Sequence, residues 1–233
     1  MICLLVKMGG SGVRFGADIP KQYVELNGHP LFYWLLIQYK SLNIVDKYIL
    51  VSNPNWLQYT ERIAREVLGE QLLGVVAGGD TMSKSIYNGV MYGRSVLSDD
   101  DVLLIHDVTN PVVADEQIPE VIAAARDRGF CVLTTEQVHT IYHIDSDDNI
   151  EYVIPRQEVS SGYSPEGFLY GKIYECYSKA EKGELEHMTS AIALAKAHNA
   201  QPKAIKSHII NLKITYQEDF DIYKRIVERS GLL

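Results

Sequence analysis

Seven apolar runs of strand length punctuate the chain, at Ile2-Val6, Tyr48-Val51, Leu73-Val76, Val102-Ile105, Phe130-Thr134, Tyr152-Ile154 and Ile209-Ile214, and segments of helical period fill several of the gaps between them. Between Pro30 and Leu42, Leu31, Trp34, Leu35 and Tyr39 share one helical face, and Gln58 to Leu68, Ile86 to Val96, Ile118 to Ala125, Leu185 to His198 and Glu218 to Val227 follow the same spacing. Strand, crossover helix and strand in repetition predict an α/β fold, a mostly parallel sheet with helices on both faces. Ligands of such sheets bind beyond the carboxyl ends of the strands. Two polar groups fall at that edge: the glycine loop that follows Ile2-Val6, and His106-Asp107 after Val102-Ile105.

From about Glu136 to Gly162 the alternation breaks. Two β-rich runs are joined by the turn formers Ser146-Asp147-Asp148-Asn149, which predicts a protruding β-hairpin arm at about 136–162, inserted into a single domain spanning 1–233. With 46% apolar residues in 233, the chain can bury its core without disulfide or metal staples. Cys3, Cys131 and Cys176 are odd in number and sit among apolar neighbours, so they read as buried thiols of a reducing, cytoplasmic compartment. Ile2 to Val6 is too short for a signal peptide or a membrane span. The net charge of −8, with no block of Lys or Arg, argues against a nucleic-acid backbone as the main partner and leaves room for a small phosphate met by a few placed cations.

The loop Gly9-Gly10-Ser11-Gly12-Val13-Arg14-Phe15-Gly16 is not a Walker loop, since no Gly-Lys-Ser/Thr ending occurs, and Phe15 stands where a dinucleotide fingerprint needs a small residue. What remains is either a tight strand-to-helix turn or an anion-binding concavity of backbone N–H groups with Arg14 and Lys21 behind it. The glycines alone do not separate these. Pro20-Lys21-Gln22 tips the balance toward the concavity.

Gly9 to Gly28 is similar to the opening signature of the family of 2-C-methyl-D-erythritol 4-phosphate cytidylyltransferase and D-ribitol-5-phosphate cytidylyltransferase, which runs roughly G-x-G-x-R-[MF]-G, P-K-Q-[YF], L-x-G-x-P. Further segments resemble later family motifs in the same order: Gly78 to Val90, His106 to Pro111, His139 to Ile141, Ser164 to Phe168 and Asn211 to Thr215. The resemblance implies a Rossmann-like fold of the nucleotide-diphospho-sugar transferase type and attack by a polyol or sugar-alcohol phosphate on the α-phosphorus of CTP, with release of pyrophosphate. It implies that Arg14 and Lys21 neutralise transition-state charge, that Met8, Gly9, Gly10 and Gly12 cradle base and phosphates, and that Gly79, Asp80 and Ser85 read cytosine and ribose. Asp107 would help to hold Mg²⁺, and Arg156 and Lys213 would grip the acceptor phosphate beside Thr140 and His139. It further implies a homodimer formed through the arm, with composite sites.

Departures from the pattern are several. Met82 and Asn110 stand where the pattern has arginines, His139 replaces an aspartate, Met188-Thr189-Ser190 replaces T-D-[DE], and Glu166 replaces a glutamine. Neutral side chains cannot restore bidentate anion contacts. Because Arg14, Lys21, Asp80, Ser85, Asp107, Arg156 and Lys213 are retained, the expectation is CTP chemistry with an altered acceptor pocket. A ribitol-5-phosphate-like acceptor ranks first, methylerythritol phosphate second, and a non-catalytic nucleotide-binding homologue third; a different nucleoside triphosphate is a further alternative. Individual residues carry plainer readings too. Asp107 suits a cap as well as a metal, and Asp80 suits the cap of a helix beginning near Ser83. Lys213 is expected inside an alternating strand, where an inward cation needs a partner. His106 reads as a packing histidine, and the tyrosines between Tyr152 and Tyr177 as core and interface.

Overall fold

The computed structural model describes residues 1–10, 15–181 and 183–230. In chain order its elements are β1 (Ile2–Met8), β2 (Glu25–Leu26), β3 (His29–Pro30), α1 (Leu31–Leu42), β4 (Lys47–Ser52), α2 (Leu57–Leu68), β5 (Leu72–Ala77), α3 (Met82–Gly93), β6 (Val102–Asp107), α4 (Ile118–Arg128) and β7 (Phe130–Glu136). Then follow β8 (Ile141–Ile144), β9 (Ile150–Ile154), β10 (Ser160–Leu169), α5 (Tyr170–Lys179), α6 (Glu184–His187), α7 (Ala191–Ala197), β11 (Lys203–Lys206) and α8 (Gln217–Ser230).

The side chains of β1 explain how the apolar runs become a sheet. They alternate, so that Leu4, Val6 and Met8 pack with Phe32 and Leu35 of α1 on one face, while Cys3 and Leu5 pack with Ile86 and Val90 of α3 on the other. β4, β6 and β7 divide in the same way, with α1, α2 and α4 covering one face and α3, α5 and α7 the other. A strand buried on both faces has no polar side to show, which is why these runs are continuously apolar. The sheet has seven strands in the order β11-β7-β10-β6-β1-β4-β5. β1 pairs parallel with β4 and β6, β4 with β5, and β11 with β7; β10 alone runs antiparallel, to β6 and to β7. The fold is therefore α/β with a mixed, mostly parallel sheet, and β8 with β9 forms the separate expected hairpin.

Three expectations need correction. Ile209–Ile214 is not a strand: its backbone groups bond to loops instead, with Ile214 N–H donating to Thr109 O at 2.8 Å and Asn110 Nδ2 donating to Leu212 O at 3.2 Å. The edge strand is the polar Lys203–Lys206 just before it. The single helix expected over Leu185 to His198 is two, because extended Ser190 interrupts it and starts α7 with its Oγ, which accepts from Ala193 N–H at 3.0 Å. Finally, the arm expected at about 136–162 is shorter, because β7 runs to Glu136 and β10 starts at Ser160; β10 holds Gly162, Pro165 and Gly167, which argue against a central strand, and its register shifts between Tyr163 and Glu166.

Among the described residues no helix is long and apolar enough to cross a membrane.

Candidate active site

The carboxyl ends of β1, β4, β5 and β6 face a cavity of about 530 Å³. Met8, Gly9, Gly10, Lys21, Gly79, Asp80, Ser85, Asp107 and Lys213 line it, drawn together from segments up to two hundred residues apart. Gly12 and Arg14 lie outside the described residues.

The glycine loop has two physically different parts. A Cβ on Gly9 would meet Ser85 Oγ at 3.1 Å and the Gly78 backbone at 3.2 Å, so this glycine lets the turns after β1 and β5 cross in contact. Gly10 has open space where a Cβ would be and borders the cavity. Gln22, almost completely buried, pins this stretch from behind: its Nε2 donates to the carbonyls of both Met8 and Gly10 at 2.7 Å. The sequence reading credited Pro20-Lys21-Gln22 with a cation and missed the amide that fixes the loop. Pro20 opens the short helical turn Lys21–Tyr23, which aims Lys21 one way and Gln22 the other.

Lys21 Nζ donates to the Ile214 carbonyl at 2.5 Å, and this ties the turn to the segment carrying Lys213. Ser85 Oγ accepts from Gly79 N–H at 3.0 Å and donates to Thr81 O at 3.0 Å, so it shapes the turn that presents Gly79. The cap of α3 is Thr81, whose Oγ1 accepts from Lys84 N–H at 3.1 Å, and not Asp80. Asp80 is instead 95% exposed, with Lys84 Nζ at 3.8 Å.

Asp107 is neither a helix cap nor a simple surface acid. Its Oδ1 accepts from Thr109 N–H at 3.0 Å and from Thr109 Oγ1 at 2.8 Å, closing a turn, while Oδ2 stands 3.4 Å from Lys7 Nζ and 3.5 Å from Lys213 Nζ. Burial by itself would raise its pKa, but the two ammonium groups and the Thr109 bonds outweigh that and hold the carboxyl well below the usual range. His106 is buried and served on both sides, by the Tyr39 hydroxyl at 2.8 Å on Nδ1 and by the Asn110 carbonyl at 2.8 Å on Nε2. Burial pushes its pKa down to about 4. A neutral ring that donates from Nε2 and accepts at Nδ1 satisfies both bonds.

A second cavity of about 370 Å³ adjoins the first and shares Lys7, Met82, Asp107 and Lys213 with it. Most departures from the family pattern converge there: Met82, Asn110, Glu166, Thr189 and Ser190 come from four separate segments and line this one space, whereas His139 and Met188 do not. Asn110 has a structural duty, accepting from Ser164 Oγ at 3.2 Å while donating to Leu212. Burial raises the pKa of Glu166, against the pull of Lys7 and the N–H groups of Ala191 and Ile192. Lys213 side-chain placement differs from the expectation: it is 56% exposed on an irregular segment held at both neighbours, rather than inward on a strand.

His139, Thr140 and Arg156 line neither cavity. They are exposed at the base of the arm, where Arg156 Nη1 donates to the Val138 carbonyl at 3.0 Å. Lys7 was not among the expected site residues, although a charge inside an otherwise apolar strand was a signal that could have found it.

A family model described as "2-C-methyl-D-erythritol 4-phosphate cytidylyltransferase" (IspD) matches residues 2–229. Among curated relatives, the 2-C-methyl-D-erythritol 4-phosphate cytidylyltransferase of Clostridium botulinum is 30% identical, over 98% of this chain and 100% of its own length. That of Petrotoga mobilis is 28% identical, over 99% of this chain and 100% of its own. Among solved structures, the 4-diphosphocytidyl-2C-methyl-D-erythritol synthase of Anaerococcus prevotii superposes with a TM-score of 0.80 at 22% identity, covering 98% of this chain and 99% of its own, which carries the fold.

Proposed function

The chain belongs to the IspD family of CTP-dependent cytidylyltransferases, and from that premise we propose that it transfers CMP from CTP to 2-C-methyl-D-erythritol 4-phosphate, releasing pyrophosphate. The acceptor follows the names of the relatives, which favour it over the ribitol phosphate that the motif departures had ranked first. The observation that carries the reading is the convergence of Lys21, Lys213 and Asp107 with the glycine turns on one cavity, Lys213 and Asp107 being shared with the second. One cavity has the size and backbone lining for a nucleotide and the other suits a small polyol phosphate.

In this reading an acceptor phosphate oxygen attacks the α-phosphorus, a new P–O bond forms, the bond to the β-phosphate bridging oxygen breaks, and pyrophosphate leaves. The protein's part is positioning and charge neutralisation. Lys21 meets charge on the α-phosphate, with Arg14 as the second cation. Gln22 holds the carbonyls of Met8 and Gly10 and so fixes the backbone that borders the nucleotide cavity. Lys213 aligns the acceptor.

Two features of Asp107 support the magnesium role: Lys7, Lys213 and the Thr109 bonds hold its carboxyl well below the usual range, and among the described residues its Oδ2 is met only at 3.4 and 3.5 Å. Among the described residues there is no group of three His, Cys, Asp or Glu side chains suited to hold a metal. A single carboxylate oxygen is what a magnesium ion held mainly by phosphate oxygens and water requires. When bound it would neutralise the triphosphate.

We infer further that residues 1–233 act as one domain and that two copies associate through the arm, bringing His139, Thr140 and Arg156 to the partner's acceptor cavity. Exposed Val138, Tyr142, Ile144, Ile150, Tyr152 and Val153 support this, since so much apolar surface on a small arm asks for a cover. A ribitol phosphate acceptor remains the second reading, favoured by Met82 and Asn110 in the acceptor cavity. Comparing kcat/KM for the two acceptors, with products identified by mass, separates them. Preference for methylerythritol phosphate supports the proposal, and preference for ribitol 5-phosphate replaces it.

A further inference from the structure

Lys7 is the charged residue of β1, whose other residues are all apolar, and it stands in register with Asp107 of β6. Its side chain is only 16% exposed, and its ammonium contacts Asp107 Oδ2 at 3.4 Å and the Met82 sulfur at 2.9 Å. A thioether is a weak acceptor and an ammonium carries three donors, so these neighbours leave its hydrogen-bonding capacity largely unspent. The second cation, Lys213, reaches the same Asp107 oxygen from the opposite segment at 3.5 Å. Two ammonium groups thus face one carboxylate oxygen at the junction between the cavities, and Glu166 lines the second cavity beyond them.

The position is informative as well as the charge. Met82 stands where the family pattern has an arginine, and Lys7 Nζ lies against its sulfur. The cation missing from the first turn of α3 is supplied from β1. Lys7 is the nearer and more buried partner of Asp107, and Lys213 and both Thr109 bonds serve the same carboxylate from other sides.

Resting on the cytidylyl-transfer reading above, we propose that Lys7 is an acceptor-binding residue: with Lys213 it holds the phosphate of a small phosphate monoester at the mouth of the 370 Å³ cavity. The hydroxylated body of that ester extends inward toward Ser164, Glu166 and Ser190. Choice among acceptors is then made largely by this cavity, with a point-charge ammonium on β1 where the pattern places a planar guanidinium.

The test is steady-state kinetics on wild type, Lys7→Met, Lys7→Arg and the double variant Lys7→Met/Met82→Arg, each with a thermal melt. Losing a charge-assisted phosphate contact should raise the acceptor KM of Lys7→Met about 10- to 100-fold. The CTP KM should rise far less, although Lys7 borders that cavity as well, and the melting temperature should fall as a part-buried ion pair to Asp107 is broken. Lys7→Arg should keep most of the affinity, and the double variant should recover part of it. An unchanged acceptor KM, or a parallel rise in the CTP KM, overturns the proposal. So does a Lys7→Met protein that melts early while its acceptor KM is unmoved, because that is a purely structural lysine.

Binding of inorganic phosphate, followed by ³¹P NMR without nucleotide, keeps the two readings apart. If wild type turns over no acceptor but binds phosphate and Lys7→Met binds it about tenfold more weakly, the transfer reading fails and the anion site stands. Equal phosphate binding by both proteins refutes the site.

Discussion

Lys21 is where position and chemistry meet most closely. The fixed backbone of Pro20 sets its start, the Ile214 carbonyl orients its ammonium, and the cavity lies in front of it. Lys21→Ala should lower kcat about 100-fold or more, the range for removing a charge-stabilising donor, while CTP binding falls less and the fold survives. A rate of pyrophosphate release equal to wild type would remove the assigned role. The two glycines before it should respond in opposite ways. Gly9→Ala forces a contact with the Gly78 backbone and should cost about 1–3 kcal/mol, as overpacking does. Gly10→Ala meets nothing among the described residues, so its melting temperature should hold while CTP affinity drops. Paired melts and nucleotide titrations decide this; a stable Gly9→Ala with an unstable Gly10→Ala would reverse the assignment of packing and ligand roles.

Among the elements, α3 shows how a single side chain locates a site. Thr81 begins the helix, accepting from Lys84 N–H, and its Oγ1 also donates to the Leu185 carbonyl at 2.7 Å. It thereby sets both the Gly79 turn and the segment that leads to the second cavity. Thr81→Ala should destabilise the protein by about 1–2 kcal/mol, as lost N-caps do, measured by urea denaturation; no change would mean that the cap does not hold this region. The same element marks what was legible in the sequence. Strands buried on both faces announced themselves as apolar runs, so β1, β4, β5, β6 and β7 were readable, and the glycine turns and Asp107 fell at their ends. β10 was not, because Gly162, Pro165 and Gly167 conceal a strand whose partners are distant in the chain. Nor was the irregular path of Ile209–Ile214, which depends on bonds from Thr109, Asn110 and Lys21 made only after folding. Gln22 and Lys7 were overlooked for a related reason: each acts on backbone or charge contributed by another segment.

The whole molecule responds to pH through His106, which ties β6 to α1 through Tyr39 and to the loop after it through Asn110. Its folded pKa is pushed down to about 4 from an ordinary 6.5, so between those values the unfolded chain binds the extra proton. Its contribution is complete above about pH 6.5 and is lost as the pH falls toward 4, by roughly 3 kcal/mol at most. Urea midpoints from pH 7 to pH 4 should decline accordingly, and a midpoint unchanged across that interval would contradict a neutral buried ring. Assembly is the other property at this scale. Sedimentation at micromolar concentration should give a dimer, and replacing Tyr142, Ile144 and Val153 on the arm with serine should give a monomer of lower activity; a wild-type monomer with full turnover would dismiss the composite site. The claim on which the rest depends is that the glycine turns and their cations receive CTP for transfer. The most direct measurement is pyrophosphate release by the purified protein with Mg²⁺ and methylerythritol phosphate, CTP being compared with ATP, GTP and UTP. Release that depends on both CTP and acceptor, with the other nucleotides far slower, is the expected result. CTP binding without any release across the panel of polyol phosphates would contradict it, leaving a protein that keeps the cradle without the chemistry.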